Sequence, residues 1–131
     1  MSSAAERNLR GLRILVVEDS MLVADLIAEA LGDAGCQVLG PAPRIDRALA
    51  LVRSEALDGA LLDVNLAGEH CLPIAELLTQ RRIPFLFMTG YGDMALPASC
   101  SDVPHLTKPF NIHDLLHMVT RCFGREERGG S

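Results

Sequence analysis

Long apolar runs are missing from this chain. The longest, Leu12 to Val17, carries Arg13 inside it, and Ala60 to Leu62 stops at Asp63; both are far short of the ~20 residues that span a bilayer, so no membrane association is expected. The four cysteines, Cys36, Cys71, Cys100 and Cys122, form no C-x-x-C pair, which argues against a zinc site or redox dithiol and favours reduced, packed thiols. Positive charge is also scarce. Twelve Lys and Arg against seventeen Asp and Glu give a net charge of −5, the wrong sign for a phosphate backbone, so direct nucleic-acid binding is not expected. Met1 to Arg10 is polar, with Glu6 and Arg7, and lacks the apolar core and cleavage site of a signal peptide; a cytoplasmic location follows as the expectation. No repeat or long linker appears, so a second, output domain is not expected.

What is present is the balance of one compact domain. Of 131 residues, 49% are apolar and 22% charged, and a chain of this size buries roughly two thirds of the surface its unfolded form exposes. The folded unit is expected over 11–124, between disordered ends at 1–10 and 125–131. Leu12 to Val17 reads as a strand buried on both faces. A helical stripe of Leu22, Leu26, Ile27, Ala30 and Leu31 follows and ends at Gly32 and Gly35. Further strands are predicted around Gln37 to Gly40, Gly59 to Leu62, Pro84 to Met88 and Val103 to Thr107. Helices are predicted through Ile45 to Val52, Leu72 to Leu78 and Ile112 to Phe123, the last capped by Asn111 with Asp114 in its first turn. Asp93 to Ser101 reads as a short, mobile helix that Pro97 ends or kinks. Strand and helix alternate about five times, so the fold class is α/β, a doubly wound parallel sheet with helices on both faces.

Ligands bind such sheets outside the carboxyl ends of the strands, and the polar residues collect there. Glu18 and Asp19 follow the first strand, Asp63 the third, Thr89 the fourth and Lys108 the fifth. Three carboxylates held together repel one another and raise each other's pKa unless a cation is present. All-oxygen ligation without a nearby His or Cys favours Mg²⁺. Lys108 adds a point positive charge and Thr89 a hydroxyl, the groups needed to hold the oxygens of a transferring phosphoryl group, which makes Asp63 the candidate nucleophile. Singly, an acidic pair after a strand is a helix cap or a solvated loop, Lys108 an exposed lysine and Thr89 a turn cap. Four strand ends agreeing is what carries the reading.

Val16-Val17-Glu18-Asp19-Ser20, Leu61-Leu62-Asp63-Val64-Asn65-Leu66, Met88-Thr89-Gly90 and Lys108-Pro109-Phe110 resemble the receiver domain of bacterial two-component response regulators, over about Leu12 to Phe123. The resemblance implies a five-stranded flavodoxin-like sheet of order 2-1-3-4-5. It implies that Asp63 accepts a phosphoryl group from a phosphohistidine on a sensor histidine kinase or a histidine phosphotransfer protein. Asp19, Asp63 and the backbone carbonyl of Asn65 would bind Mg²⁺, with Glu18 acting through a water. Lys108 would pair with Asp63 and then with the phosphoryl oxygens, Thr89 would hydrogen-bond the phosphoryl group, and a cis peptide before Pro109 would aim Lys108 inward.

Pro84 to Tyr91 also resembles the single-domain receivers marked by a Phe-Ala-Thr-Gly-x-Tyr loop, with Met88 in place of the alanine and Tyr91 directly after Gly90. Where the family usually has a switch aromatic, three residues before Lys108, this chain has His105. It reads as a partly exposed histidine packed beside a fourth helix, and any switch then runs through Gly90-Tyr91-Gly92. Tyr91 either shields the phosphoryl group from water or is a plain surface aromatic. His70, His113 and His117 show no metal spacing. The function expected is a regulatory phosphoacceptor, not an enzyme, that signals by phosphorylation-dependent protein contacts with a downstream target or drains a kinase as a phosphate sink. Two rivals stand beside it: a phosphorylation-independent binding module of the same fold, and a Mg²⁺-dependent phosphohydrolase, which would ordinarily carry an acid where Asn65 stands.

Overall fold

The computed structural model describes residues 7–90, 93 and 95–126. Five strands, β1 (Arg13–Val17), β2 (Gln37–Ala42), β3 (Gly59–Asp63), β4 (Phe85–Thr89) and β5 (His105–Thr107), form one parallel sheet of order β2-β1-β3-β4-β5. Helices α1 (Met21–Asp33), α2 (Ile45–Ser54), α3 (Leu72–Gln80) and α4 (Ile112–Phe123) cover it. This is the doubly wound sheet expected from the alternation of strands and helices, in the flavodoxin-like order that the resemblance implies.

Alternation along the strands divides the core in two. Ile14, Val16, Leu61, Leu86, Met88 and Leu106 face α1 and α4, where Ile27, Leu31, Leu115, Val119 and Phe123 close the layer. Leu15, Val17, Ala60, Leu62 and Phe87 face α2 and α3, against Ala48, Val52, Ile74 and Leu78. Local chemistry fixes the helix starts. The Ser20 hydroxyl accepts from Val23 N–H at 3.4 Å ahead of α1, and Asn111 Oδ1 accepts from Asp114 N–H at 2.8 Å at the start of α4. At Gly59 a Cβ would lie 2.7 Å from the Phe123 ring, so the missing side chain lets α4 seat its last aromatic on the sheet.

Three segments depart from the sequence expectation. The helix expected between Asp93 and Ser101 is a single 3₁₀ turn, Ala98–Cys100; Pro97 offers no N–H and biases the residue before it away from helix. Arg7–Asn8 pairs antiparallel with Arg125–Glu126, so parts of both ends expected as disordered carry regular structure, brought together by the buried Leu9 and Phe123 beside them. The loop after β3 contains a small antiparallel hairpin, Asn65–Leu66 against Glu69–His70. Ala67 (φ 52°) and Gly68 (φ 91°) form its two-residue turn, the left-handed pair that matches strand twist.

The sheet order reverses between β2-β1 and β3-β4-β5, and the crevice at that switch point opens at the carboxyl ends of β1 and β3.

Candidate functional site

Registry delivers the site. Val17 lies beside Leu62 and Asp63 beside Met88, so the residues just past β1, at the end of β3 and at the end of β4 reach one rim. There the oxygens of Glu18, Asp19 and Asp63 all lie within 4.8 Å of one another. Glu18 and Asp63 are almost fully buried, at 2% and 3% exposure, whereas Asp19 is exposed. Lys108 reaches across from beyond β5. Its Nζ is 2.7 Å from Glu18 Oε1 and 3.2 Å from Asp63 Oδ2.

These contacts are unequal. Lys108 donates a hydrogen bond to Asp63 and makes a closer ion pair with the buried Glu18 Oε1, so one ammonium is shared between two carboxylates. Burial, and then the charge of Glu18, push the Asp63 carboxyl from 3.8 up to about 7 against the opposing pull of Lys108. Burial pulls the Lys108 ammonium down, but its pairing with Glu18 and the charge of Asp63 outweigh that and leave it raised. One lysine therefore does not balance the rim. Two nearly buried carboxylates that share one ammonium, one of them destabilised by its neighbour, are what an acidic pocket shows when it suits a hard cation.

The hairpin after β3 borders this cluster. Asn65 N–H points to Asp63 Oδ1 at 3.4 Å, Ala67 N–H donates to Asp19 Oδ2 at 2.8 Å, and Gly68 N–H to Asn65 Oδ1 at 2.9 Å. Thr89 ends β4, and its carbonyl accepts from Lys108 N–H at 2.7 Å. The Lys108-Pro109 bond is cis. Gly90 N–H donates to the Asp93 carboxylate.

Thus Glu18, Asp19, Asp63, Asn65, Thr89 and Lys108 meet at one rim, with Gly90 and Pro109 next to it. His105 does not join them. It is exposed on β5 with its ring 5.8 Å from Phe87, and the helix expected beside it is the 3₁₀ turn described above. Tyr91 lies outside the described residues. Sequence reasoning missed His70 and Asp93, both bonded to backbone near the rim. The Ala67-Gly68 turn pair, a hairpin signal, was the one clue to the first.

The family model of the response regulator receiver domain matches residues 14–120. The sensory transduction protein LytT of Bacillus subtilis is 35% identical over 104 residues, covering 76% of this chain and 43% of its own length. The positive alginate biosynthesis regulatory protein of Pseudomonas aeruginosa is 34% identical over 116 residues, 85% of this chain and 47% of its own. The chain thus spans less than half the length of these two relatives. Among solved structures, SdrG from Sphingomonas melonis Fr1 is 35% identical with a TM-score of 0.69, over 88% of this chain and 94% of that one. The response regulator PhyR from Brucella abortus is 27% identical with a TM-score of 0.76, over 92% and 50%. A match that runs from β1 into α4 places the chain in the response regulator receiver domain family.

Proposed function

We propose that the chain is a stand-alone receiver that takes a phosphoryl group from a phosphohistidine onto Asp63. The donor is a sensor histidine kinase or a histidine phosphotransfer protein, and the setting is cytoplasmic. An Asp63 carboxylate oxygen attacks phosphorus; the phosphorus–nitrogen bond breaks with its electron pair going to the imidazole nitrogen, and an acyl phosphate forms. Lys108, already 3.2 Å from Asp63, offers its ammonium to the phosphoryl oxygens, and Thr89 offers its hydroxyl. Glu18, Asp19, Asp63 and the Asn65 carbonyl are the groups that would hold Mg²⁺, which when bound neutralises charge developing on the phosphoryl oxygens. Water attack on the acyl phosphate at phosphorus breaks its bond to the Asp63 oxygen, returning the Asp63 carboxylate and releasing inorganic phosphate.

The observation that carries this reading is the buried Asp63–Lys108–Glu18 cluster, two carboxylates on one ammonium, at the switch point of the sheet. The stand-alone reading draws support from SdrG, most of whose chain the match covers. The added charge, about −1.5 to −2, draws Thr89 and Lys108 inward and reshapes the loop after β4, so that the signal leaves by contact with a downstream protein or the phosphoryl group is simply drained. The net charge of −5 supports a protein rather than a nucleic-acid target.

Incubation with Mg²⁺ and acetyl phosphate, followed by intact mass, tests the proposal. One phosphate adduct is expected on wild type, none on Asp63→Asn and none with EDTA. An unmodified wild type, also with phosphorylated kinases as donors, overturns it in favour of a phosphorylation-independent module.

A further inference from the structure

The three carboxylates of the rim are not held alike. Glu18 and Asp63 are buried and share the Lys108 ammonium, and each also has a backbone amide: Ser20 N–H donates to Glu18 Oε2 at 3.0 Å and Asn65 N–H points to Asp63 Oδ1 at 3.4 Å. Asp19 is exposed, and among the described residues it has no ion pair. Its described partner is Ala67 N–H, 2.8 Å from Oδ2. Two negative neighbours whose oxygens lie within 4.8 Å push an exposed carboxylate toward solvent, where a change of rotamer would take it. The Ala67 amide is the group that opposes this.

Its place in the turn makes that possible. Ala67 is the first residue of a two-residue hairpin turn, between the paired Leu66 and Glu69, and the N–H at that position takes no part in the ladder between the strands, so it is free for another acceptor. The base of the hairpin is fixed, with Leu66 buried and Cys71 N–H donating to the Val64 carbonyl at 3.0 Å. Asn65 Oδ1 takes the second turn amide, that of Gly68. Ala67 holds φ 52° to complete this turn, a conformation uncommon for alanine. We infer that Ala67 is a positioning residue: its backbone amide, carried on the hairpin tip, keeps Asp19 at the rim so that all three carboxylates stand ready for a divalent cation. This rests on the rim being a Mg²⁺ site. An aspartate already held in the cluster loses less rotational freedom on ligation than one that must first be drawn back from solvent.

Two variants at the tip separate this role from simple support of the fold. Ala67→Gly keeps the amide and suits the left-handed turn; Ala67→Pro removes the amide and fixes φ at about −65°. Amide-shift titration with magnesium chloride is expected to give Ala67→Gly a Kd within about twofold of wild type and Ala67→Pro a Kd roughly three- to tenfold weaker, the range that one hydrogen bond's net worth sets. Without the cation, Ala67→Pro should unfold in urea at the wild-type midpoint, because the freed Asp19 escapes repulsion as it loses its bond. In the metal-free protein Asp19→Ala should raise hydrogen exchange at the Ala67 amide and leave that of Gly68, which bonds to Asn65, unchanged. A metal-free midpoint that falls along with the affinity overturns the positioning role in favour of a turn that merely holds the fold. Equal Kd values for wild type and Ala67→Pro, or unchanged Ala67 exchange in Asp19→Ala, overturn it outright. Absence of any Mg²⁺ response in wild type instead overturns the cation reading, and with it the part given to Ala67.

Discussion

Asp63 stands at the centre of the residue scale because its environment works against its charge. It ionises at 3.8 when unperturbed and at about 7 in the fold, so between those values the folded state holds a proton that the unfolded state has lost. Stability therefore falls as pH rises through that window, and the deficit is complete above about 7. Urea denaturation of the metal-free protein is expected to show a lower midpoint at about pH 8 than at about pH 6. Asp63→Asn should flatten that difference and raise the midpoint at the higher pH. Lys108→Ala removes the counter-charge from two nearly buried carboxylates and should destabilise by about 3 kcal/mol, with Asp63→Asn recovering much of the loss in the double variant. The acids, Thr89 and Lys108 were legible because each closes an apolar strand in the sequence. That Lys108 approaches Glu18 more closely than Asp63 was not, since strand spacing brings three groups to a rim without ranking the distances among them. His70 was illegible for a related reason: both its partners are backbone groups, which leave no mark in a side-chain pattern.

Among the elements, α4 reads most directly from its sequence, with Asn111 as cap and Leu115, Val119 and Phe123 on the buried face. How it docks depends on a residue outside it. Gly59→Ala would drive a Cβ into the Phe123 ring and is expected to cost about 1–3 kcal/mol, and Phe123→Leu in the same chain should restore part of that by vacating the space. Thermal or urea unfolding of the two single variants and the double variant measures the coupling. Sequence pattern fails where elements are too short to repeat. The paired ends at 7–8 and 125–126 and the hairpin at 65–70 have strands of two residues each, shorter than one period of alternation on each face. The 3₁₀ turn at Ala98–Cys100 looked like a longer helix because Ala, Ser and Cys carry no signal against one; only Pro97 did.

For the whole molecule, the doubly wound sheet was the most legible feature, since five apolar strands alternating with amphipathic helices admit few other topologies. Its two half-cores hold the thiols as well. Cys36, Cys71 and Cys100 are buried and Cys122 is partly exposed, none in a disulfide. Burial raises the Cys36 and Cys122 thiols and pushes Cys71 up to about 12. A thiol reagent such as DTNB should therefore titrate about one group, at Cys122, in the native protein and all four in denaturant; rapid reaction of several native thiols would mean that the half-cores open on their own. The unbalanced rim has a consequence on the scale of cellular lifetime. A molecule whose carboxylates repel until a cation joins them opens more often when empty than when loaded, and proteases act on the opened population. Degradation by a protease that needs no divalent cation is expected to slow as free Mg²⁺ rises, which would make turnover of the protein answer to the proposed cation site.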